Sequence, residues 1–210
     1  TLEERMKIYE IVSEHSGNKI KIAAHITHTA FSDMLKLVAK AENLGFDLLI
    51  VTSPYVVTKN PAQVLEFVSK LGESTELAIM FYNSPQFGIV LEPEWLNKIC
   101  EIQNVVGVKE ASFNKELSIN THLLIGDKAV ISTPDEWIFF KGKEMGFQQQ
   151  VMFANTSDWR FDTKDNNHYV NFVNNAVEGD INESYYAKYI KPIKDVSDKW
   201  WMKIVKKNNG

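Results

Sequence analysis

ELAIMFYNSPQFGIVLEPEWLNKICEIQNVVGVKEA, residues 76–111, is the stretch on which the fold turns. It opens on an apolar run, 77–81, that finishes in Tyr82 and Asn83, and it closes on a second, 105–108, that finishes in Lys109 and Glu110. Between them Pro93 marks a helix start, and Trp95, Leu96, Ile99 and Cys100 recur at helical spacing. Runs this uniformly apolar, rather than alternating, suit strands covered on both faces. A strand–helix–strand unit of this kind joins parallel neighbours by a right-handed crossover.

The same alternation extends in both directions. Strands are expected at 19–26, 47–53, 76–83, 105–111, 128–133 and 148–155. Helices are expected at 32–44, with Met34, Leu35, Val38 and Ala41 on one face and Gly45 as the stop, and from Asn60-Pro61 to Gly72, with Val64, Leu65, Val68 and Leu71 as the stripe. Others follow from Pro93, over 114–125, and from Thr133-Pro134-Asp135-Glu136 to near Gly146, with the acidic residues in the first turn, where the helix dipole favours them. Beyond residue 160 two helices, 164–178 and 183–207, follow with no strand between them. Thr1-Leu2-Glu3-Glu4 matches a capping box, so the chain opens on a helix.

Six consecutive β/α units imply an α/β fold with a parallel sheet, either open and doubly wound or part of a closed barrel. No strand is followed by a glycine-rich phosphate turn, which removes the support for the nucleotide-binding open sheet. The strands finish in Thr27, Ser53, Tyr82 and Asn83, Lys109 and Glu110, Ser132 and Thr133, and Asn155 and Thr156. In a (β/α)8 barrel such ends converge on one mouth, where active sites are built. The expected division is a partial barrel over 1–160, with the last barrel helix and the start of a helical extension over 161–210.

The formal net charge of −4 is spread along the chain and leaves no basic footprint for nucleic acid or an anionic membrane. No apolar run nears the roughly 20 residues that span a bilayer, no secretory signal pattern stands at the start, and the default compartment is cytoplasmic. A single cysteine, Cys100, excludes an intramolecular disulfide and a cysteine metal cage, and its place in an apolar helix reads as a buried small hydrophobe. His25 and His28, three apart at a strand end, do not converge as ligands, so no metal is expected. Trp200-Trp201 reads as helix packing or a subunit contact.

Two readings of Lys109 stand. One is a lysine snorkelling at a strand end or paired with a carboxylate. The other is a partly desolvated amine, its pKa lowered by burial, able to attack a ketone and form an imine. Tyr82 is likewise either a half-buried aromatic with its hydroxyl at the rim or the acid/base partner of that amine. One helix separates the two, so they end adjacent strands at the same rim. Asp135 and Glu136 read either as helix-start compensation or as hydrogen-bonding groups for substrate hydroxyls.

SPY at 53–55, YNSP at 82–85, VVGVKEAS at 105–112, TPDE at 133–136 and FAN at 153–155 resemble the dihydrodipicolinate synthase/N-acetylneuraminate lyase family, in family order and near family spacing. The resemblance covers residues 1 to about 207. It implies a TIM (β/α)8 barrel, of which strands three to eight are present, with C-terminal helices and a homotetramer or dimer. It implies class I aldolase chemistry on pyruvate or a pyruvate-yielding 2-oxo sugar acid, with an aldehyde partner and no cofactor. Lys109 matches the imine-forming lysine and Tyr82 the proton-relaying tyrosine. Asp135 and Glu136 match the acidic pair with which sialic acid lyases hold a polyol tail. Ser53, Ser132, Thr133 and Asn155 are the further candidates for orienting substrate.

The resemblance also exposes departures. The family's G-T-T/S-G-E loop, which binds the pyruvate carboxylate, aligns just before Thr1, so the chain reads as a piece trimmed at both ends whose sheet exposes two edges. Val56 replaces the second tyrosine of T-P-Y-Y, and the loop Gln86-Phe87-Gly88 lacks the arginine of the synthases. The first weakens the synthase assignment, and the second favours a neutral or hydroxylated partner over a dicarboxylic one. Thr133 stands where a glycine is usual and narrows the pocket. The rival is a catalytically lapsed member acting as a binding or structural protein.

Overall fold

The computed structural model describes residues 1–17, 19–54, 60–154 and 162–207. The chain divides into two compact units, Thr1–Ile131 and Ser132–Gly210.

The first unit begins with α1 (Leu2–Ser16), whose capping box forms: the Glu4 amide donates to Thr1 Oγ1 at 3.2 Å. There follow β1 (Ala23–His25), α2 (Phe31–Asn43), β2 (Leu48–Thr52), α3 (Pro61–Gly72), β3 (Ala78–Asn83), a 3₁₀ turn (Pro85–Phe87), α4 (Pro93–Ile99), β4 (Val105–Glu110), α5 (Lys115–Ile125) and β5 (Val130–Ser132). Asn60 caps α3 and Asn114 caps α5, each accepting from backbone amides of the first turn. The sheet runs β1-β2-β3-β4-β5, with β1 to β4 paired in parallel. β1 is shorter than the expected 19–26 because Ile22 donates its amide to the Asp47 carboxylate rather than to a strand.

One face of this sheet is dry. Ala24, Leu49, Val51, Ile79, Phe81 and Val108 are fully buried in one cluster with Met34, Leu37, Val64, Val68, Leu96 and Ile125 of the helices. The opposite face carries Ala23, His25, Ile50, Met80, Tyr82, Gly107 and Lys109, matched by register. The register is not uniform. Ile79 pairs with Val105 but Met80 with Gly107, so Val106 is an extra residue, a β-bulge in β4. Gly107 is required by a close approach: a Cβ there would lie 2.0 Å from the Val130 carbonyl oxygen. Cys100 packs half-buried against the core, and burial pushes its thiol up to about 12.

The second unit contains α6 (Trp137–Met145), α7 (His168–Val177), α8 (Glu183–Tyr185), a π-helical turn (Tyr186–Ile190) and α9 (Lys191–Lys207). Asp135 and Glu136 precede α6 instead of lying in its first turn, with Glu136 at the N-cap. The α7 start is set by Asp162, whose carboxylate accepts from the Tyr169 and Val170 amides at 3.1 and 2.8 Å. Rings of Phe139, Phe140, Phe172 and Tyr186 pack together, with centroids 5.0 to 6.3 Å apart.

The expected strand at 148–155 differs. Residues 148–154 form no strand, and Asn155, with Thr156, lies outside the described residues. Side chains replace the ladder: Thr133 donates its amide to Gln149 Oε1 at 2.6 Å and accepts from Gln149 Nε2 at 3.1 Å, while the Phe153 amide donates to Ser132 Oγ at 2.9 Å. A glutamine amide thus pairs with Thr133 as a neighbouring peptide would. No helix among the described residues is long and apolar enough to cross a membrane.

Candidate active site

The bulge at Val106 decides which way Lys109 faces. Continuing the Ile79–Val105 register without it would pair Tyr82 with Val108 and turn Lys109 toward the helices. With it, Tyr82 pairs with Lys109 and Asn83 with Glu110. The neighbours in Lys-Glu therefore part company. Glu110 is fully buried on the helix side, accepting from the Ser112 amide at 2.9 Å and from the Ser118 hydroxyl. Burial raises its pKa, and those hydrogen bonds oppose the rise. Lys109 lies on the other face, its Nζ 4.3 Å from the Tyr82 ring centroid. Burial lowers its pKa from 10.5, the ordinary lysine value. Burial also raises the Tyr82 phenol, and a hydrogen bond with Ser84 opposes that.

The loop after β3 roofs this pair. Asn83 clamps Leu91 in both directions, donating to its carbonyl at 3.0 Å and accepting from its amide at 2.8 Å. Ser53, also buried, donates to the carbonyls of Phe87 and Ile89 at 3.4 and 3.3 Å. Gly88, at φ 124°, takes a backbone conformation that favours glycine. Phe87 is thereby held with its ring 5.2 Å from Tyr82 and 6.1 Å from His25.

Sequence reading passed over one network. The Thr52 amide and hydroxyl both reach Thr27 Oγ1, at 2.9 and 3.2 Å, and Thr27 Oγ1 lies 3.3 Å from His25 Nε2. Thr52 is in register with Tyr82. Solvent reaches the His25 ring, yet burial by its surroundings, reinforced by the charges of Arg5 and Lys109, pushes its pKa down to about 4. The available signal was the alternation of His25 and Thr27 along one strand end. His28 has a separate partner, accepting from the Ala30 amide at 3.1 Å. Among the described residues no group of three or more metal-ligating side chains gathers.

In the second unit the acidic pair meets a lysine that no sequence pattern pointed to. Lys194 Nζ lies 3.3 Å from Asp135 Oδ1 and 3.2 Å from Glu136 Oε2. Glu136 is fully buried, and burial pushes its pKa up to about 7 against the pull of Lys194. The structure thus brings Lys109 and Tyr82 together with His25, and Asp135 and Glu136 together with Lys194. Ser132 and Thr133 are tied to the segment 149–153, as above.

A profile of the dihydrodipicolinate synthetase family matches residues 1–200. A 4-hydroxy-tetrahydrodipicolinate synthase of Halalkalibacterium halodurans is 30% identical over 115 residues, 54% of this chain and 39% of that protein. The chain spans less than half the length of such curated relatives. Among solved structures, dihydrodipicolinate synthase of Bacteroides thetaiotaomicron superposes with a TM-score of 0.79 at 17% identity, covering 94% of this chain and 64% of that one. YagE of E. coli K12, a prophage protein of the dihydrodipicolinic acid synthase family solved with pyruvate, also gives 0.79 at 17% identity, covering 96% and 66%. The parallel sheet with its helices is accordingly part of a TIM (β/α)8 barrel, and the chain belongs to the dihydrodipicolinate synthetase family.

Proposed function

We propose that the chain is a class I carbon–carbon lyase or aldolase that binds pyruvate, or a 2-oxo acid that yields it, as an imine on Lys109. The observation that carries this is the desolvated Lys109 amine set against the Tyr82 ring on adjacent, register-matched strands. The neutral amine attacks the 2-oxo carbon, and the carbinolamine oxygen takes up a proton and leaves as water. The C4 hydroxyl then gives up its proton through Tyr82 as the C3–C4 bond breaks, the protonated imine accepts the released electron pair to become an enamine, and an aldehyde departs. Protonation at C3 and attack of water on the imine release pyruvate and the free amine. Addition to an aldehyde is the reverse. Tyr82 carries the proton to and from the carbinolamine oxygen.

Ser53 serves this site by fixing Phe87. The substrate-orienting roles implied for Ser132, Thr133, Asp135, Glu136 and Asn155 are part of the same reading. For Asp135 and Glu136 they require substrate hydroxyls to compete with Lys194. Val196 and Trp200, one turn apart on α9 and 55% and 61% exposed, support a homodimer or homotetramer. Trp200→Glu is expected to lower the assembly state in sedimentation velocity.

The test of the activity is borohydride reduction in the presence of pyruvate, followed by peptide mass measurement. An adduct on Lys109, absent from Lys109→Met, is expected. No adduct with pyruvate in large excess would refute the reading and favour a lapsed member that binds without turnover.

A further inference from the structure

We infer that Phe87 selects the aldehyde partner of the lysine site, admitting an uncharged aldehyde whose substituent is hydrocarbon. This rests on the imine-forming reading of Lys109.

Three observations carry it. The first is where the loop after β3 meets the reacting carbon. The C4 hydroxyl must reach the Tyr82 phenol to pass on its proton, so the substituent on C4 lies beside that phenol. The phenol is hydrogen-bonded to Ser84, the first residue of the loop. The same loop sets the Phe87 ring 5.2 Å from Tyr82 and 6.1 Å from His25. Lys109 stands on β4 and His25 on β1, so the ring leans over the side of Tyr82 away from the amine.

The second is the chemistry of this wall. No residue from Ser84 to Leu91 is charged. The polar groups of the loop are spent on its own support. The Phe87 and Ile89 carbonyls accept from Ser53, Leu91 exchanges two bonds with Asn83, and Ser84 Oγ accepts from the Gln86 amide at 3.3 Å. Ile50 and Met80 lie in register on the same face of the sheet. The Thr52 hydroxyl is within reach of Thr27 Oγ1 and of the Ser53 carbonyl, at 3.2 and 3.1 Å. Of the two cations acting on His25, Lys109 is the reacting amine and Arg5 donates to the carbonyls of Thr27 and His25. A carboxylate against this wall would shed water and gain no partner, whereas a hydrocarbon gains contact with the ring. It also leaves Asp135 and Glu136 to Lys194.

The third is fixity. Buried Asn83 and Ser53 hold the loop from two strands, and Gly88 turns it at φ 124°. A ring held in this way excludes the wrong substituent instead of swinging aside for it.

The experiment offers the full chain pyruvate and one of three four-carbon aldehydes: butanal, erythrose, or succinic semialdehyde, which is butanal's chain ending in a carboxylate. The rate of aldol product formation is followed by mass spectrometry. Each aldehyde is compared between the unmodified chain and its variants, which cancels the aldehydes' different intrinsic reactivity. Phe87→Ala is expected to lower kcat/KM for butanal about ten-fold or more, the range for losing one large apolar contact. It should leave erythrose and succinic semialdehyde within about two-fold. Phe87→Leu should keep most of the butanal rate, and Phe87→Arg should raise succinic semialdehyde above its unmodified rate. Borohydride trapping of pyruvate on Lys109 should stay unchanged in every variant, which also reports an intact fold. Failure of the unmodified chain to trap pyruvate would sink the lysine reading and the inference with it. Trapping without addition to any of the three aldehydes would overturn the inference and leave the imine standing. So would a Phe87→Ala variant that still traps pyruvate but loses all three rates alike, or none.

Discussion

At the scale of single residues, Lys109 and Tyr82 were legible because each ends an apolar run, and a polar group there has a rim to face. The Thr52–Thr27–His25 network was not legible, because it depends on which residues of β1 and β2 stand opposite each other, and register is set by packing rather than composition. The depressed pKa of Lys109 has a consequence with a definite sign. Imine formation needs the free amine, so the trapping rate should rise with pH and reach its midpoint below 10.5, the ordinary value for lysine. A midpoint at or above the free-lysine value, in a series at constant ionic strength, would count against desolvation as the cause. Tyr82→Phe keeps the ring beside the amine and removes only the phenolic hydroxyl. It should slow turnover by about a hundred-fold or more while leaving the Lys109 midpoint nearly in place, measured as kcat beside the pH profile of trapping.

Among the elements, helix starts followed their cap residues closely, as at Asn60-Pro61 and Pro93. The segment 148–154 did not follow its composition, because a glutamine side chain took the hydrogen bonds a strand would have made. Gln149→Leu should therefore remove two buried hydrogen bonds to the Thr133 peptide groups and cost about 1–3 kcal/mol for each, read as a shift in urea midpoint at unchanged slope. The bulge in β4 was equally invisible, since Val105 and Val106 are the same residue type and only one of them is paired. Deleting Val106 should remove the bulge and leave Met80 opposite Gly107 and Tyr82 opposite Lys109, so the pyruvate adduct should persist. Loss of the adduct in a folded Val106 deletion variant would count against this register.

For the molecule as a whole, the parallel α/β character could be read from six apolar runs spaced by amphipathic stretches, whereas the pairing of Lys194 with Asp135 and Glu136 joins residues with no periodicity in common. That pairing sets a pH dependence. Glu136 has a folded-state pKa near 7 against an ordinary value of 4.5, so between those values the folded chain holds a proton that the unfolded chain has released. Stability should fall as pH rises through this window and level off above it. Glu136→Gln should flatten that part of the curve, and Lys194→Met should extend the decline to higher pH, both followed by calorimetry from pH 4 to pH 9. A further consequence lies at the border strand β1, where Arg5 and the Tyr9 hydroxyl, the latter at 2.7 Å, occupy the carbonyls of His25 and Thr27 that point away from β2. An approaching extended peptide finds those acceptors already engaged and meets a guanidinium first, so the strand is a poor template for self-propagating cross-β growth, and Arg5→Ala would open it to fibre seeding.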